Sequence, residues 1–344
     1  MMRKAELEMA WVNNRPSKDE SCHSLANKIL RELMQFRRAI DSDDHCAKSS
    51  CQACFAPHLS KVVDAIKHQV PICFVLPAFP GKSPNPEKVL GHLPDMGEQR
   101  ALVFLNSLCD RIKEYYSPGA RVILCSDGRV FSDLVGMDEE HISDYQGALA
   151  AMIEMHELAN ISTFNLDELY EEIAFDTMRE QLMHCYGTPL EVLREKVSQG
   201  KNIDSQAEHR EAHRMYCGIT KFLFEDAMHA TQTKSRTAIQ KDCRKRAYEV
   251  IRRSNAWSEL IADQFPEAVR LSIHPQACGS KKFGIMLLGH EQWMTPWHGV
   301  ALKSDGEFRL VKRSQAEAMG ATMVFSAQGH PSHYKIEQEL EYAS

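Results

Sequence analysis

The chain has 344 residues, of which 43% are hydrophobic and 26% are charged, as in an ordinary soluble globular protein. Its formal net charge of -6 at pH 7 excludes a globally basic nucleic-acid-binding protein. No apolar run approaches the roughly 18 to 20 residues that span a bilayer, and residues 1–15 lack the apolar core of a signal peptide. These features predict a cytoplasmic protein with no nucleic-acid and no membrane partner.

Residues 1–70 are predicted to form a helical lead-in that holds a concentration of cysteine. The chain has eleven cysteines, an odd number spread over apparent helices and strands, which is typical of reduced thiols. Within "DHCAKSSCQACFAPH", Cys46, Cys51, Cys54 and His58 approach the density of a zinc ligand set. A second ligand pair at fixed spacing is missing, so ordinary thiols are favoured and a structural metal on these four residues stays the alternative.

Two short apolar runs, 71–79 and 120–128, are bounded by turn signals and predict buried strands. Between them, apolar residues recur at three- and four-residue steps, which predicts a helix. Asp95 and Glu98 have the spacing of a capping box at the start of that helix. Strand, helix and strand in this order form a βαβ unit, so the two strands are expected to be parallel neighbours.

Residues 139–260 are predicted to be mostly helical, as an insertion or cap over the strand ends. In the last third of the chain, four segments indicate strands that supply the second half of the sheet: 268–276, 282–288, 298–304 and 307–313. The chain contains no repeat and no low-complexity linker. Residues 1–344 are therefore interpreted as a single α/β domain with a helical subdomain.

Ligands of open α/β sheets bind beyond the carboxyl ends of the strands, and residues 76–88 leave the first predicted strand in that direction. Gly81-Lys82-Ser83 matches the end of a nucleotide-binding P-loop, but Leu76 stands where its first glycine is required. Prolines in the stretch lack phosphate-cradling N–H groups and oppose a helix after Ser83. The sequence instead predicts a stiff, extended arm that presents side chains at nearly fixed positions: Lys82, Ser83, Asn85 and Lys88. The alternative is a surface crossover pinned by prolines, with solvated lysines.

A second loop, 126–133, follows the other predicted strand and carries Asp127, Arg129 and Asp133. Arg129 can grip a phosphate or a carboxylate through two hydrogen bonds, and an aspartate can orient an amine or take its proton. The alternative is a solvated turn in which the arginine and the aspartates pair with each other.

The last third of the chain adds further candidates. Alternation along a strand places Arg270, Ser272 and His274 on one face. Three polar side chains on one face are unusual for a strand in the core, so this face is a candidate site. His298 by itself is more often a core histidine than a catalyst. Two lysines on the following turn belong either to a mobile phosphate-gripping loop or to an ordinary hairpin tip: Lys281 and Lys282.

Residues 234–253 contain eight Lys or Arg against Asp242 and Glu249. A basic helix can bind nucleic acid, which keeps a nucleic-acid-binding regulator as an alternative function. An apolar stripe at helical spacing and the acidic remainder of the chain favour a solvated helix face instead. A further alternative, a P-loop-like kinase or NTPase, is disfavoured by the missing glycine and by the prolines.

Four segments of the chain resemble the pyoverdine/dityrosine biosynthesis family, whose bacterial members are isocyanide (isonitrile) synthases of the PvcA type. The segments are "LPAFPGKSPNPEKVLGHLPDMGEQRAL", "SDGRVFSDLVG" followed by Tyr145, "RLSIHP" and "TPWHGV". They run in order from residue 76 to about residue 300, so the resemblance covers most of the chain. Many members carry another residue at the position of Gly81, which makes the likeness to a P-loop incidental.

The resemblance implies a Rossmann-like fold and an enzyme that joins the α-amine of an aromatic amino acid to the ketone carbon of ribulose 5-phosphate. The sugar skeleton is then broken and one carbon stays on the nitrogen as the isocyanide. Tyrosine is the first expectation for the amino acid and tryptophan the second. No redox cofactor or metal is expected for this step, and an iron/2-oxoglutarate oxygenase is expected to act on the product.

The resemblance also suggests roles for the candidate residues. A sugar phosphate needs cationic anchors, an amino acid needs a carboxylate clamp and an acceptor for its ammonium, and imine chemistry needs proton transfers. Lys82 would form a Schiff base if neighbouring cations lowered its pKa. The candidate catalytic residues are Lys82, Asp127, His274 and His298. The candidate substrate-binding residues are Ser83, Asn85, Lys88, Arg129, Asp133, Tyr145, Arg270, Ser272, Lys281 and Lys282.

Overall fold

The computed structural model of the chain describes residues 18–40, 46, 51–170, 173–289 and 294–336. Its first two helices, α1 (Lys18–Met34) and α2 (Gln52–His68), pack on each other. They account for the described part of the predicted helical lead-in. The rest of that lead-in lies outside the described residues: 1–17, 41–45 and 47–50.

The predicted βαβ unit is confirmed. Strands β1 (Ile72–Leu76) and β2 (Ala120–Cys125) are parallel neighbours joined through helix α3 (Met96–Lys113). The helix begins at a complete capping box, in which the Asp95 carboxylate accepts the Gly97 N–H at 2.7 Å and Glu98 accepts the Asp95 N–H at 2.9 Å. These bonds satisfy amides that the first turn of a helix leaves unpaired.

The main sheet has five parallel strands in the order β3–β2–β1–β4–β5. The three outer strands are β3 (Ile161–Phe164), β4 (Val269–Ser272) and β5 (Phe283–Gly284). The short β3 lies inside the region predicted to be mostly helical, because four residues carry too little alternation to be recognised. Since all strands run the same way, the loops after β1, β2 and β4 meet at one edge of the sheet.

Helices flank this sheet, as the fold prediction states. They are α4 (Gly128–Val135), α5 (Glu139–Met155), α6 (Phe175–Tyr186) and α9 (Arg236–Gln264). Two further helices, α7 (Leu190–Gln199) and α8 (Ala207–Ala227), pack on each other and on α9. The indole N–H of Trp257, a buried residue of α9, donates to the carbonyl oxygen of Cys125 at 3.3 Å. This bond holds α9 over the end of β2. Among the described residues, no helix combines the length and apolarity needed to cross a membrane.

The C-terminal strands do not all extend the main sheet, which corrects the sequence-based expectation. Only β4 and β5 join it, and a separate sheet has the order β7–β6–β9–β8. Its strands are β6 (Val300–Ser304), β7 (Glu307–Val311), β8 (Thr322–Phe325) and β9 (Pro331–Lys335), with the short helix α10 (Arg313–Ala318) between β7 and β8. Asp305 and Gly306 both have positive φ, so a tight turn pairs β6 and β7 antiparallel and separates them from the all-parallel sheet.

Candidate active site

The arm, residues 77–88, leaves β1 without forming a helix, and the next helix in the chain begins at Met96. A P-loop needs a helix directly after its Gly-Lys-Ser, so the arm is not a P-loop. It lies against the turn after β2, where a Cβ on Gly128 would be 1.7 Å from the carbonyl oxygen of Pro80. The Ser126 hydroxyl donates to the carbonyl oxygen of Phe79 at 2.8 Å. Glycine at position 128 therefore lets two backbones approach closely at the carboxyl ends of β1 and β2.

Lys82 is the centre of a buried ion-pair cluster. Its Nζ lies 2.8 Å from Asp95 Oδ2 and 2.7 Å from Glu98 Oε2, and its side chain is 0% exposed. The Tyr145 hydroxyl donates to Glu98 Oε1 at 3.3 Å. Burial lowers the pKa of Lys82, but the two carboxylates outweigh it and hold that pKa above its usual value. The condition set for a Schiff-base lysine, a pKa lowered by neighbouring cations, is not met because the neighbours are anions.

The arm also holds the turn that carries His298. Lys82 Nζ donates to the carbonyl oxygen of Pro296 at 3.1 Å, and the Ser83 N–H donates to the carbonyl oxygen of Trp297 at 2.9 Å. Residues Pro296–His298 form a single 3₁₀ turn just before β6. In this structure Lys82 and Ser83 therefore position His298 through the backbone.

The far end of the arm is fastened to the C-terminal end of α8. The Ser83 hydroxyl donates to Asp226 Oδ1 at 2.9 Å, and Lys88 forms an ion pair with the same oxygen. The Asn85 side chain donates to the carbonyl oxygens of Glu225 and Met228, at 3.0 and 3.1 Å. Asp226 was missed in the sequence because two acids at the end of a helix resemble a solvated face. Its other oxygen, Oδ2, is buried and has no hydrogen-bond partner among the described residues.

Arg129 and Asp133 belong to a different, structural network. All five N–H groups of Arg129 have partners in the protein, which are Glu139 and its carbonyl oxygen, Ser143 and Asp167. Asp133 accepts from Arg253 at 2.6 Å. No donor of Arg129 is left for a ligand, so its predicted grip on phosphate is not supported by this arrangement. The charge pairing that was left open as the alternative is the one observed, with a buried arginine instead of a solvated one.

Asp127 and Arg270, by contrast, each present an unused polar atom. Asp127 is the N-cap residue of α4 but makes no side-chain cap bond, and its buried Oδ1 has no partner among the described residues. Arg270 donates from Nη2 to Ser258 Oγ at 3.2 Å, whereas its buried Nη1 likewise has no partner in the described chain. Burial raises the pKa of Asp127 to about 7 and lowers that of Arg270 to about 10. The two groups lie close enough to act on each other at the carboxyl ends of β2 and β4, where open α/β sheets bind their ligands.

Lys282 and two histidines carry shifted pKa values next to this pair. Burial, followed by Arg270, lowers the pKa of Lys282. Burial, together with Arg38 and Lys282, lowers the pKa of His274 to about 4. Burial also lowers the pKa of His298 to about 4, although a nearby carboxylate opposes it. Both imidazoles are therefore neutral at pH 7, and His298 Nδ1 lies 3.0 Å from Thr295 Oγ1.

We refer to the site formed by Asp127, Arg270, His274, Lys282 and His298 as the recess. These side chains act on one another electrostatically from the ends of β2 and β4, the loop after β4 and the 3₁₀ turn before β6. Each of the five keeps accessible surface, most of all His274. The recess thus lies where an open α/β sheet binds its ligands.

The other predicted residues of this region lie outside the recess. Ser272 is buried, and its hydroxyl accepts the His274 N–H at 3.1 Å and a Gln276 side-chain N–H at 3.3 Å, so it shapes the loop after β4. Lys281 is exposed on the next turn. His58 is a core residue, 2% exposed, whose ring lies 5.9 Å from that of Phe283.

A cleft of about 400 Å³ lies beside the arm, lined by Lys82, Gly136, His141 and Arg313 among others. It includes none of the recess side chains. His141 is stacked on His92, with ring centroids 4.1 Å apart. We place the chemistry in the recess because the unpaired acid and guanidinium are there.

The basic segment 234–253 lies mostly in α9, where its predicted apolar stripe is buried: Ile239, Cys243, Ala247, Val250 and Ile251. Three of its arginines form ion pairs within the protein. Arg246 pairs with Asp242 at 2.8 Å, Arg252 with Glu249 at 2.7 Å, and Arg253 with Asp133. This arrangement favours a helix face whose charges are paired locally. It argues against a surface that binds nucleic acid.

Comparison with known proteins gives the family. A model of the pyoverdine/dityrosine biosynthesis protein family matches residues 62–324. The L-tryptophan isonitrile synthase AmbI2 of Fischerella ambigua is 47% identical over 92% of this chain and 94% of its own. An L-tyrosine isonitrile synthase of Xenorhabdus nematophila is 41% identical over 92% of this chain and 93% of its own.

The crystal structure of the PvcA protein from Pseudomonas aeruginosa is similar to the chain with a TM-score of 0.83 and 43% sequence identity. The match covers 91% of this chain and 100% of that one. The predicted α/β fold, with a mostly parallel sheet flanked by helices, is confirmed by this likeness and by the observed sheet. The chain therefore belongs to the pyoverdine/dityrosine biosynthesis family, among the isonitrile synthases of the PvcA type.

Proposed function

We propose that the chain converts the α-amino group of an aromatic L-amino acid to an isonitrile, with ribulose 5-phosphate as the carbon donor, in a lyase- or transferase-type reaction. The observation that carries the proposal is the recess, in which an unpaired carboxylate oxygen and an unpaired guanidinium nitrogen lie beside a lysine and two neutral histidines. An amino acid carries the complementary pair of charges, and a sugar phosphate adds an anion.

The amino acid is expected to bind between Arg270 and Asp127. Arg270, with a pKa of about 10, is cationic at neutral pH, and its free Nη1 suits one oxygen of the substrate carboxylate. Asp127 suits the ammonium group. The amine attacks a ketone only after it loses a proton, and a carboxylate with a pKa of about 7 accepts that proton near neutral pH.

The sugar phosphate is expected to meet the cations at the other end of the recess. Lys282 and Arg38 both act on His274, so two positive charges lie beside one imidazole. The exposed Lys281 directly precedes Lys282 on the same turn and is available to an anion at the entrance of the site. Lys88 is less suited, because it is buried in its ion pair with Asp226.

His274 and His298 are proposed to move protons during imine formation and carbon–carbon cleavage. Both have pKa values lowered to about 4, so each enters the reaction as a neutral base or hydrogen-bond partner. No redox cofactor or metal is assigned to this step. The product is a reactive isonitrile acid, and we expect an iron/2-oxoglutarate oxygenase to consume it.

Tyrosine is proposed as the amino acid, with tryptophan second. Both classes of synthase occur among relatives 41 to 47% identical to this chain, so identity does not separate them. The purified chain is to be incubated with ribulose 5-phosphate and each amino acid in turn, and the products separated by mass spectrometry. We expect the isonitrile of tyrosine to form faster than that of tryptophan.

N-acetyltyrosine is the matched control, since its blocked amine leaves no nucleophile, and it should give no product. Faster turnover of tryptophan would reverse the ranking and leave the activity standing. If neither tyrosine nor tryptophan gave an isonitrile, the proposed function would be contradicted.

A further inference from the structure

Four cysteine sulfurs meet beside the N-terminal end of α2, and any two of them lie within 4.8 Å. Cys278 Sγ lies 3.4 Å from that of Cys46, 3.6 Å from that of Cys51 and 3.5 Å from that of Cys54. The sulfurs of Cys46 and Cys51 are closer, at 2.8 Å. Cys46 and Cys54 are buried, and the other two are partly exposed.

These distances fit ligands around one small ion. A disulfide brings two sulfurs to about 2.0 Å, so no pair here is bonded. Zinc binds thiolate at about 2.3 Å, which places the sulfurs of a regular tetrahedron about 3.8 Å apart. A cluster of several irons would hold its cysteines farther apart than this, around a larger body.

The four residues come from distant parts of the chain. Cys51 is the N-cap of α2 and Cys54 lies in its first turn, which gives the Cys-x₂-Cys spacing of a metal knuckle. Cys278 reaches the same point from the loop between β4 and β5, more than 220 residues later. Gly279, directly after it, has φ of 77°, which suits glycine in a tight turn.

Backbone groups support the sulfurs. The Arg37 guanidinium donates to the carbonyl oxygen of Cys46 at 3.0 Å. The Cys54 N–H donates to the carbonyl oxygen of Cys51 at 3.1 Å, which fixes the positions of these two cysteines relative to each other at the start of α2.

We propose that Cys46, Cys51, Cys54 and Cys278 bind one Zn²⁺ ion as a structural tetrathiolate site. Sequence spacing placed His58 in this set, whereas the structure puts Cys278 there and His58 in the core. Four protein ligands complete the tetrahedron, so the ion has no open position for substrate. The site joins α2 to the loop that also carries His274 and Lys282, and so fixes one wall of the recess.

The test is the metal content of the full chain, purified without a metal-affinity tag or chelator and measured by inductively coupled plasma mass spectrometry. We expect about one zinc per chain. Growth with cobalt should give the intense visible bands and thiolate charge-transfer absorption of a tetrahedral four-sulfur site. This readout needs no catalytic activity and no variant that risks misfolding.

Variants locate the ion. Cys51→Ser and Cys278→Ser should lower zinc to below about 0.1 per chain. Cys278→His should keep a metal while its cobalt spectrum shifts to that of three sulfurs. Cys217→Ser, which changes an exposed cysteine on α8, is the matched control and should leave the zinc content unchanged. Zinc-free wild-type protein, iron in place of zinc, or a disulfide among these four residues on mass mapping would each overturn the assignment.

Discussion

Asp127→Asn is expected to lower kcat by about 10² to 10⁴-fold at pH 8, the range that a positioned general base supplies. Asparagine keeps the shape and the hydrogen-bonding oxygen of aspartate but does not take a proton. In the wild type, kcat/KM should rise with pH through an apparent pKa of about 7, the value to which burial raises Asp127. That rising limb should disappear in the variant. Steady-state kinetics from pH 5.5 to 9 measures both effects.

The stability of the same variant gives an independent check. The folded-state pKa of Asp127 lies above its unfolded value, so its ionisation costs stability as the pH rises from about 4 through about 7. Asp127→Asn should therefore be at least as stable as wild type at pH 8, by urea denaturation. Asp138→Asn is the matched control, because Asp138 is an N-cap residue without a cap bond and its side chain is 81% exposed. Turnover by Asp127→Asn above about half that of wild type would contradict the role of general base.

Lys82→Met is expected to reduce the free energy of unfolding by about 3 to 5 kcal/mol at pH 8, as when one partner of a buried ion pair is removed. The loss should be smaller at pH 5.5. Burial raises the pKa of Glu98 to about 7, and the positive charge of Lys82 keeps that pKa from rising further. Without Lys82 the carboxylate is harder to ionise, so the cost grows as the pH rises. Urea denaturation at the two pH values measures the difference.

The double variant Lys82→Met/Glu98→Gln should recover part of this loss, because the uncompensated charge is gone and Asp95 keeps its bond to the Gly97 N–H. Lys281→Met, on an exposed lysine, should change the free energy of unfolding by less than about 0.5 kcal/mol. Since Lys82 holds the turn of His298, some loss of turnover is also expected. Full stability with complete loss of turnover in Lys82→Met would instead restore its role as a Schiff-base lysine.

The sequence predicts those elements of the fold that depend on residues close together in the chain. The apolar runs of β1 and β2 and the capping box of Asp95 and Glu98 are contiguous in sequence, and all were found as expected. The four residues of β3 and the separate second sheet were not foreseen. The position of a short strand depends on pairing with strands that are distant in sequence, and one amino-acid sequence gives little information about which strands will pair.

The candidate site shows the same division. Asp127 is a candidate because it follows a predicted strand, and Arg270 and His274 because alternation along a strand puts them on one face. The parallel sheet brings Asp127 and Arg270 together at the ends of β2 and β4. The partners of Lys82 were visible only as a capping box, although the same carboxylates neutralise its charge. Arg129 lies in the first turn of α4 beside the site, but its N–H groups are all paired with Glu139, Ser143 and Asp167. Cys278 is isolated in sequence, and only the fold carries it to the other three cysteines.

The most direct test of the proposed activity is to trace the isonitrile carbon. The chain is to be supplied with tyrosine and ribulose 5-phosphate carrying ¹³C at C2, and the product analysed by mass spectrometry and carbon NMR. We expect a product one mass unit heavier, with the label in the isonitrile carbon, and no label when ¹³C is placed at C5 instead. An isonitrile that forms without the label would contradict ribulose 5-phosphate as the donor, and no isonitrile from any aromatic amino acid would contradict the activity itself.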